Sequence, residues 1–379
     1  MPSNSKNTAI IAAAGSGKTE CLVEKALAVE DGNVLITTYT DENQRHIINR
    51  IEQKVGFVPK HITVMGWFTF LITQCIKPYQ QALTNTPFLI RGLNFRGEGN
   101  RFTKKVKLEY FIDSNGDLYR DRVSDLAFQV DLKTNGVVIK RLEAIYTHLL
   151  IDEVQDMVGY DLDVLDLLLD SRINIIAVGD PRQHTYETNR GPKGKKYHGS
   201  GLTRWFSERK SKCSIVTLDV SYRCNQVICD FADAIFPELP KTKSREVRCT
   251  GHDGIFIVCE SQLQNYLCEH SPVALRYDKR TDTFGFQAFN IGVLKGSEFD
   301  RVVVFPTKKW LTYLKDKDVS KLTSKEKLYV AVTRARFSVA FVVPDDRHEE
   351  PFQKLADITP GVALKEDPTN NDQLALILT

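Results

Sequence analysis

Residues Thr8 to Cys21 read TAIIAAAGSGKTEC. The apolar run Ala9 to Ala14 leads into Gly15-Ser16-Gly17-Lys18-Thr19, the order of a buried strand, a glycine turn and a helix start. In such a turn the backbone N–H groups of Ala14, Gly15, Ser16 and Gly17 point inward and cradle phosphates. Lys18 then reaches the β- and γ-phosphates, and the Thr19 hydroxyl holds Mg²⁺. The usual spacing G-x-x-x-x-G-K-[ST] has Ala12 where its first glycine stands. A chance glycine-rich turn after a strand is the alternative, and the rest of the chain decides between the two.

The chain has 379 residues, enough for two or three domains. Hydrophobic residues are 42% and charged residues 26%, the composition of a soluble globular protein with a sizeable core. A net charge of +3 does not argue for nucleic-acid binding, so local patches carry that question. The eight cysteines (Cys21, Cys75, Cys213, Cys224, Cys229, Cys249, Cys259 and Cys268) form no C-x-x-C. That scatter predicts reduced thiols in a cytoplasmic protein and no zinc site. The N-terminal apolar run is too short for a secretory signal, and no run approaches the ~20 apolar residues of a membrane span. No membrane partner is expected.

Apolar runs alternate with amphipathic stretches, which predicts an α/β fold with parallel sheets. Glu20 to Val29 reads as a helix, Asn33 to Thr38 as a strand, and Asp41 as the N-cap of a helix through Ile51. Ile62 to Met65 is a third strand, followed by Trp67, Phe68 and Phe70. From about Gln80 to Thr147 long apolar strands are missing, and we read this stretch as a basic insertion in the first domain. Residues 91–107 hold six Lys/Arg against Glu98, interleaved with Phe95 and Phe102 and preceded by Phe88. They form either a solvated surface or a single-strand track.

His148 to Ile151 is a buried strand that runs into Asp152 and Glu153, and ligands bind at the carboxyl ends of parallel strands. Asp152 binds Mg²⁺, directly or through water, and Glu153 orients and deprotonates the attacking water. An acidic strand end that caps a helix is the alternative. Ile173 to Gly179 is another strand. Arg190 to Lys212 is a second basic stretch, with eight Lys/Arg against Glu208 and several glycines. It reads as a connection beside a nucleic-acid groove or as a solvated loop. A second strand series runs through Ser214–Leu218, Ile255–Cys259, Val273–Arg276, Arg301–Phe305 and Ser338–Val343. The expected domains are 1–210, with the insertion at about 80–147, and 211–344. The acidic tail 345–379, with eight Asp/Glu against three Lys/Arg, is expected to be loosely attached.

Leu150 to Asp156 (LIDEVQD) resembles the D-E-x-Q-D box of the UvrD/Rep-like superfamily 1A helicases. Other boxes follow in that family's order. Ala12–Thr19 resembles A-G-x-G-S-G-K-T, Thr38–Thr40 resembles T-F-T, and Gly179–Tyr186 resembles G-D-x-x-Q-x-I-Y. Ser221–Arg223 resembles N-Y-R, Lys295–Asp300 resembles K-G-L-E-F-D, and Leu328–Arg336 resembles L-Y-V-A-x-T-R-A-R. The resemblance implies two RecA-like P-loop NTPase domains that bind ATP and Mg²⁺. It implies that Gln183 senses the γ-phosphate and that Arg223 and Arg334 act as arginine fingers. A guanidinium at the γ-phosphoryl group stabilises the charge that builds there in the transition state. It also implies that Tyr222 stacks on adenine, that Glu298 holds the ribose, and that Thr38, Tyr39 and Tyr186 line a single-strand path that continues past Arg190.

The sequence departs from that family in several places. No glutamine precedes the phosphate loop, Glu20 follows Lys18-Thr19 where the family often has Arg, and Glu187-Thr188-Asn189 replaces an aromatic. Met65 to Phe70 replaces another box. Either Trp67 or Phe68 supplies the missing stacking there, or these aromatics are core. Only 72 residues separate Arg223 from Lys295, so a large inserted domain is not expected. The resemblance implies an ATP-dependent DNA translocase or helicase moving 3′→5′ on single-stranded or partly duplex DNA, with RNA left open. The alternative is a nucleotide- and DNA-dependent switch subunit with a protein partner, such as a nuclease in an antiviral defence system.

Overall fold

The computed structural model describes residues 6–83, 89–97, 99–100, 102–185, 193–294 and 296–345. The chain divides into two units. Of the described residues, one unit holds 6–11 and Lys18–Thr217; the other holds Ala12–Gly17 and 218–345.

The first unit carries strands β1 (Thr8–Ala12), β2 (Val34–Thr38), β3 (Ile62–Gly66), β4 (Leu93–Asn94), β5 (Leu118–Tyr119), β6 (His148–Ile151), β7 (Asn174–Gly179) and β8 (Ser214–Leu218). Six of them form one sheet in the order β3-β2-β6-β7-β1-β8. The ladders β2/β3, β2/β6, β6/β7 and β1/β7 are parallel. Every residue of β2 is buried, as expected of a strand covered on both faces. Its helices are α1 (Lys18–Leu27), α2 (Asp41–Val55), α3 (Trp67–Phe70), α4 (Val123–Lys133), α5 (Val137–Ile145), α6 (Tyr160–Leu169) and α7 (Gly201–Ser207).

Two expectations change here, and the insertion gains a structure. The N-cap of α2 is Thr40, not Asp41: the Thr40 hydroxyl accepts the Asn43 N–H at 3.1 Å, which leaves Asp41 in the first turn beside the positive end of the helix dipole. Ser214–Leu218, expected to open the second series, is instead the edge strand β8 of the first sheet. The buried Asn7 anchors it there: its amide donates to Lys212 O and Leu169 O, its side-chain oxygen accepts the Ile175 N–H, and its carbonyl accepts the Ser214 N–H. The stretch read as an insertion contains α4 and α5. Val123, Leu126, Ala127, Val130, Val138 and Leu142 of these helices lie in the first unit's core.

The second unit pairs β9 (Val220–Ser221) with β10 (Lys243–Ser244). Its main sheet is built from β11 (Gly254–Cys259), β12 (Val273–Arg276), β13 (Phe289–Asn290), β14 (Phe299–Phe305) and β15 (Ala335–Val343). The order is β11-β15-β14-β12-β13, parallel throughout. Helices α8 (Gln226–Ile235), α9 (Leu263–His270), α10 (Lys308–Asp316) and α11 (Lys325–Val332) pack on it. Two parallel sheets with helices thus give the α/β architecture that the alternating pattern predicts.

Six of the eight cysteines are buried, and Cys249 and Cys268 are exposed. Burial pushes the Cys213 thiol up to about 12 and that of Cys224 to about 11. Among the described residues no helix is long and apolar enough to cross a membrane. Tyr186, Arg190, Lys295, Phe88 and the acidic tail beyond Asp345 lie outside the described residues.

Candidate nucleotide site and nucleic-acid interface

In the first unit, the chemistry-bearing residues gather where strands end. Lys18 opens α1, and its ammonium lies 4.0 Å from Glu153 Oε2, both side chains only 13% exposed. Asp152 follows β6 directly and is buried. Glu153 then turns the chain in the left-handed region, at φ 56°. A residue with a Cβ pays about 1–3 kcal/mol for such a backbone, and strain of this kind clusters at functional sites. Asp152 Oδ1 accepts the Glu153 N–H at 3.0 Å and secures the turn.

Gln155 connects this turn to the next strand. Its amide nitrogen donates to Glu153 Oε2, and its side-chain oxygen accepts the Asp180 N–H at 3.0 Å. Asp180, fully buried after β7, accepts the Arg182 N–H through Oδ1 at 3.1 Å and the Gln183 amide through Oδ2 at 2.9 Å. Gly179 is required by this approach, because a Cβ there would lie 2.3 Å from Gln155 Oε1. Lys18, Glu153, Gln155, Asp180 and Gln183 therefore form one connected chain of polar contacts across the ends of β6 and β7. Such a chain can hold a carboxylate beside a cation and couple it to an amide one strand away. Sequence reasoning gave Gln155 and Asp180 no role, although both sit inside the boxes it quoted.

The residues expected on a nucleic-acid path fare differently. Thr38 is fully buried, and its hydroxyl accepts from the Asn43 amide at 3.3 Å. Tyr39 is half-buried, with its ring 6.5 Å from that of Trp67 and 6.1 Å from that of Phe68. Of the two readings of Trp67, base stacking or core, the structure gives core. Trp67 is 1% exposed, and its indole N–H donates to Asp161 at 2.7 Å, so it shows no face to a base. Asp161, also buried, accepts from the Ser124 hydroxyl and the Val158 N–H, which ties α3, α4 and α6 together.

In the second unit, Arg223 Nε donates to Glu298 Oε2 at 2.8 Å and its Nη1 to Thr333 O at 3.2 Å. Arg336 holds the other oxygen of Glu298. Burial pulls the Glu298 carboxyl up, but the bonds from Arg336 and Arg223 outweigh it and hold the group below the usual carboxylate range. Arg334 is 2% exposed; its Nε donates to Val330 O and its Nη1 to Ser297 O at 3.0 Å. Tyr222 is 55% exposed, and its N–H donates to Gly15 O at 2.9 Å. The Ala14 N–H donates to the Tyr329 hydroxyl at 3.2 Å. The Ser16 hydroxyl is buried and has no hydrogen-bond partner among the described residues, as suits a group that serves a ligand.

Among the described residues, no group of three or more His, Cys, Asp or Glu could cage a metal ion. Mg²⁺ needs no such cage, because it takes one or two carboxylates and keeps phosphate and water ligands. A buried Asp152 at a strand end and a half-buried Thr19 at a helix start fit that requirement.

The family described as "Viral superfamily 1 RNA helicase core domain" matches residues 118–343, and the one described as "AAA domain" matches residues 1–189. No curated protein matches the chain. Among solved structures, arterivirus nonstructural protein 10 (helicase) is similar at 17% identity and a TM-score of 0.47, over 90% of this chain and 60% of that one. Its complex with DNA is similar at 16% identity and a TM-score of 0.46, over 90% and 62%. The chain spans about 60% of the length of these proteins. The first of the two families runs from the insertion through the last strand of the second sheet, more than half of the sequence, and the chain belongs to this viral superfamily 1 helicase core family.

Proposed function

We propose that this superfamily 1 helicase core hydrolyses ATP with Mg²⁺ and uses the energy to move along single-stranded nucleic acid. The contact chain Lys18–Glu153–Gln155–Asp180–Gln183 carries this reading. Lys18, with the N–H groups of Ala14 to Gly17, binds the phosphates. Thr19 and Asp152 would hold Mg²⁺, which would supply charge neutralisation at the phosphates. Glu153 takes the proton of the attacking water, and Gln183 reports the γ-phosphate to the strand-binding side. Arg223 and Arg334 supply positive charge to the transferring phosphoryl group. Tyr222 and Glu298 hold the adenosine, and Tyr39, Tyr186 and Arg190 lie along the strand.

The UvrD/Rep-like boxes support DNA as the track and 3′→5′ as the direction, whereas the matched family is described by RNA helicases, so both tracks belong in the test. The experiment is ATP hydrolysis by the purified chain with and without single-stranded DNA or RNA, with Glu153→Gln as control. Strong stimulation by a strand, lost in the control, is the expected result. No stimulation by either polymer would sink the motor reading. Displacement of a duplex carrying a 3′ tail, and not one carrying a 5′ tail, fixes the direction.

A second reading, a nucleotide-driven switch that acts on a protein partner such as a nuclease, is favoured by the economy of the second unit. Between Arg223 and Glu298 the described residues hold only that unit's own strands and helices. Processive unwinding by the chain alone would count against it.

A further inference from the structure

The segment from Leu89 to Tyr110 holds large apolar side chains in water. Phe102 is 95% exposed, Val106 86%, Phe95 67% and Leu89 66%. Such groups, rimmed by polar and charged residues, are what interaction sites on protein surfaces offer. Arg91, Arg96, Lys104 and Lys107 are exposed within the same segment and make no ion pair among the described residues. Glu109 is the one acidic side chain among the segment's described residues.

These groups stand on a fixed scaffold. Lys105 donates to Asp125 of α4 at 2.9 Å and to the Tyr160 hydroxyl at 2.6 Å, with its ammonium 4.5 Å from the Tyr160 ring centre. Lys193 sits over the same ring at 3.7 Å. Arg122, buried, places its guanidinium 3.7 Å from the Tyr110 ring centre and donates to Gly99 O at 3.1 Å. Asn94 donates to Asp113 at 2.8 Å, and β4 pairs with β5. A partner that meets Phe102 and Val106 therefore meets side chains whose backbone is already ordered, which lowers the entropy cost of binding.

Exposed aromatic and apolar faces beside unpaired cations are the complement of a single strand, whose bases offer open π-faces and whose phosphates need counter-charge. A blunt duplex hides those faces in its stack. A protein partner would have to answer four cations with its own carboxylates. We infer that this face of the insertion grips single-stranded nucleic acid, with Phe102 stacking on a base and Lys104 and Lys107 taking the adjoining phosphates. The inference rests on the proposed motor reading and adds to it a strand contact outside the residues that reading uses.

The test uses the full chain and fluorescein-labelled strands of ~20 nucleotides, longer than a single-strand site. Oligo-dT, oligo-U and a blunt duplex are titrated by anisotropy between ~50 and ~300 mM salt, where phosphate contacts show as a slope. Phe102→Ala should weaken binding of oligo-dT, oligo-U or both by about 5- to 150-fold and leave the duplex unchanged. Lys104→Gln with Lys107→Gln should reduce the slope of log K on log salt by about 1.4 for a single strand. ATP hydrolysis without nucleic acid should stay at the wild-type rate in both variants. If the wild type binds strands and both variants bind as it does, the face serves another class of partner, protein included; the inference falls and the motor reading stands. An equal loss on the blunt duplex also overturns the stacking contact. A wild type that binds no strand overturns both.

Discussion

Glu153 occupies a left-handed backbone turn, lies 4.0 Å from Lys18 and is bonded to Gln155, so its carboxylate is held from two sides. Glu153→Gln keeps the shape and removes the base. Turnover should fall by about 10²–10⁴-fold while nucleotide affinity stays near wild type, read by steady-state hydrolysis beside equilibrium binding. Lys18→Ala should lose affinity as well as turnover; unchanged affinity would contradict the phosphate-loop reading. Gly179→Ala drives a methyl into Gln155 and should cost about 1–3 kcal/mol of stability, measured by denaturant unfolding. At this scale the sequence was legible wherever a box fixes spacing, because the strand end, the turn and the helix start are local. Trp67 stayed ambiguous between stacking and core for a physical reason: whether an aromatic after a strand faces water or Asp161 depends on α6, almost a hundred residues away.

The elements show where pattern reading fails. Helix α4 buries Ser124, Asp125 and Asp131 on the side that should read as an apolar stripe, so its period is masked. Asp161 accepts from both Trp67 and Ser124, and Asp161→Ala leaves those donors unmatched in the core. The loss should be about 2–4 kcal/mol, with Asp161→Asn milder because one acceptor oxygen survives; equal stability of both variants and the wild type would remove Asp161 from its role as a tie. In the second unit, His252 lies between the Phe256 ring of β11 and the His270 ring of α9, at 3.9 and 3.7 Å between centres. Burial pushes the His252 imidazole down to about 4, with the charges of His270 and Arg301 adding to it and Asp253 opposing; Glu269 pairs with His270 from the helix. An unfolded histidine titrates near 6.5, so between about 6.5 and about 4 the unfolded chain binds the extra proton. Stability should therefore be complete above that window and fall as pH drops through it. His252→Gln should flatten the dependence of the unfolding midpoint on pH, and an unchanged profile would remove His252 from the cause.

Hydrophobic cores pack against both main sheets, with Trp67 and Trp205 in the first unit's core and Trp310 in a core of the second. Tryptophan-to-phenylalanine variants can therefore report each core separately during unfolding. A non-hydrolysable ATP analogue with Mg²⁺ at about a hundred times its dissociation constant should stabilise the binding-competent chain by about 2.7 kcal/mol. Thermal unfolding should show the shift in the wild type and lose it in Lys18→Ala; an equal shift in both would place the nucleotide elsewhere. The α/β class was readable from the alternation of apolar runs along the chain. The sheet that takes β8 was not, because its apolar pattern suits either one and its partners Asn7 and Thr8 lie at the far end of the sequence.

The uneven burial of the cysteines has a practical consequence. A maleimide needs an accessible thiolate, and burial denies it both access and ionisation at six of the eight sites. The native chain should thus consume about two equivalents of a thiol reagent, against eight in denaturant. Both dyes would sit in the second unit, at Cys249 and Cys268, and the first would stay dark. Fluorescent reporters of nucleotide and strand binding can therefore be attached to the unaltered sequence, with no cysteine added or removed.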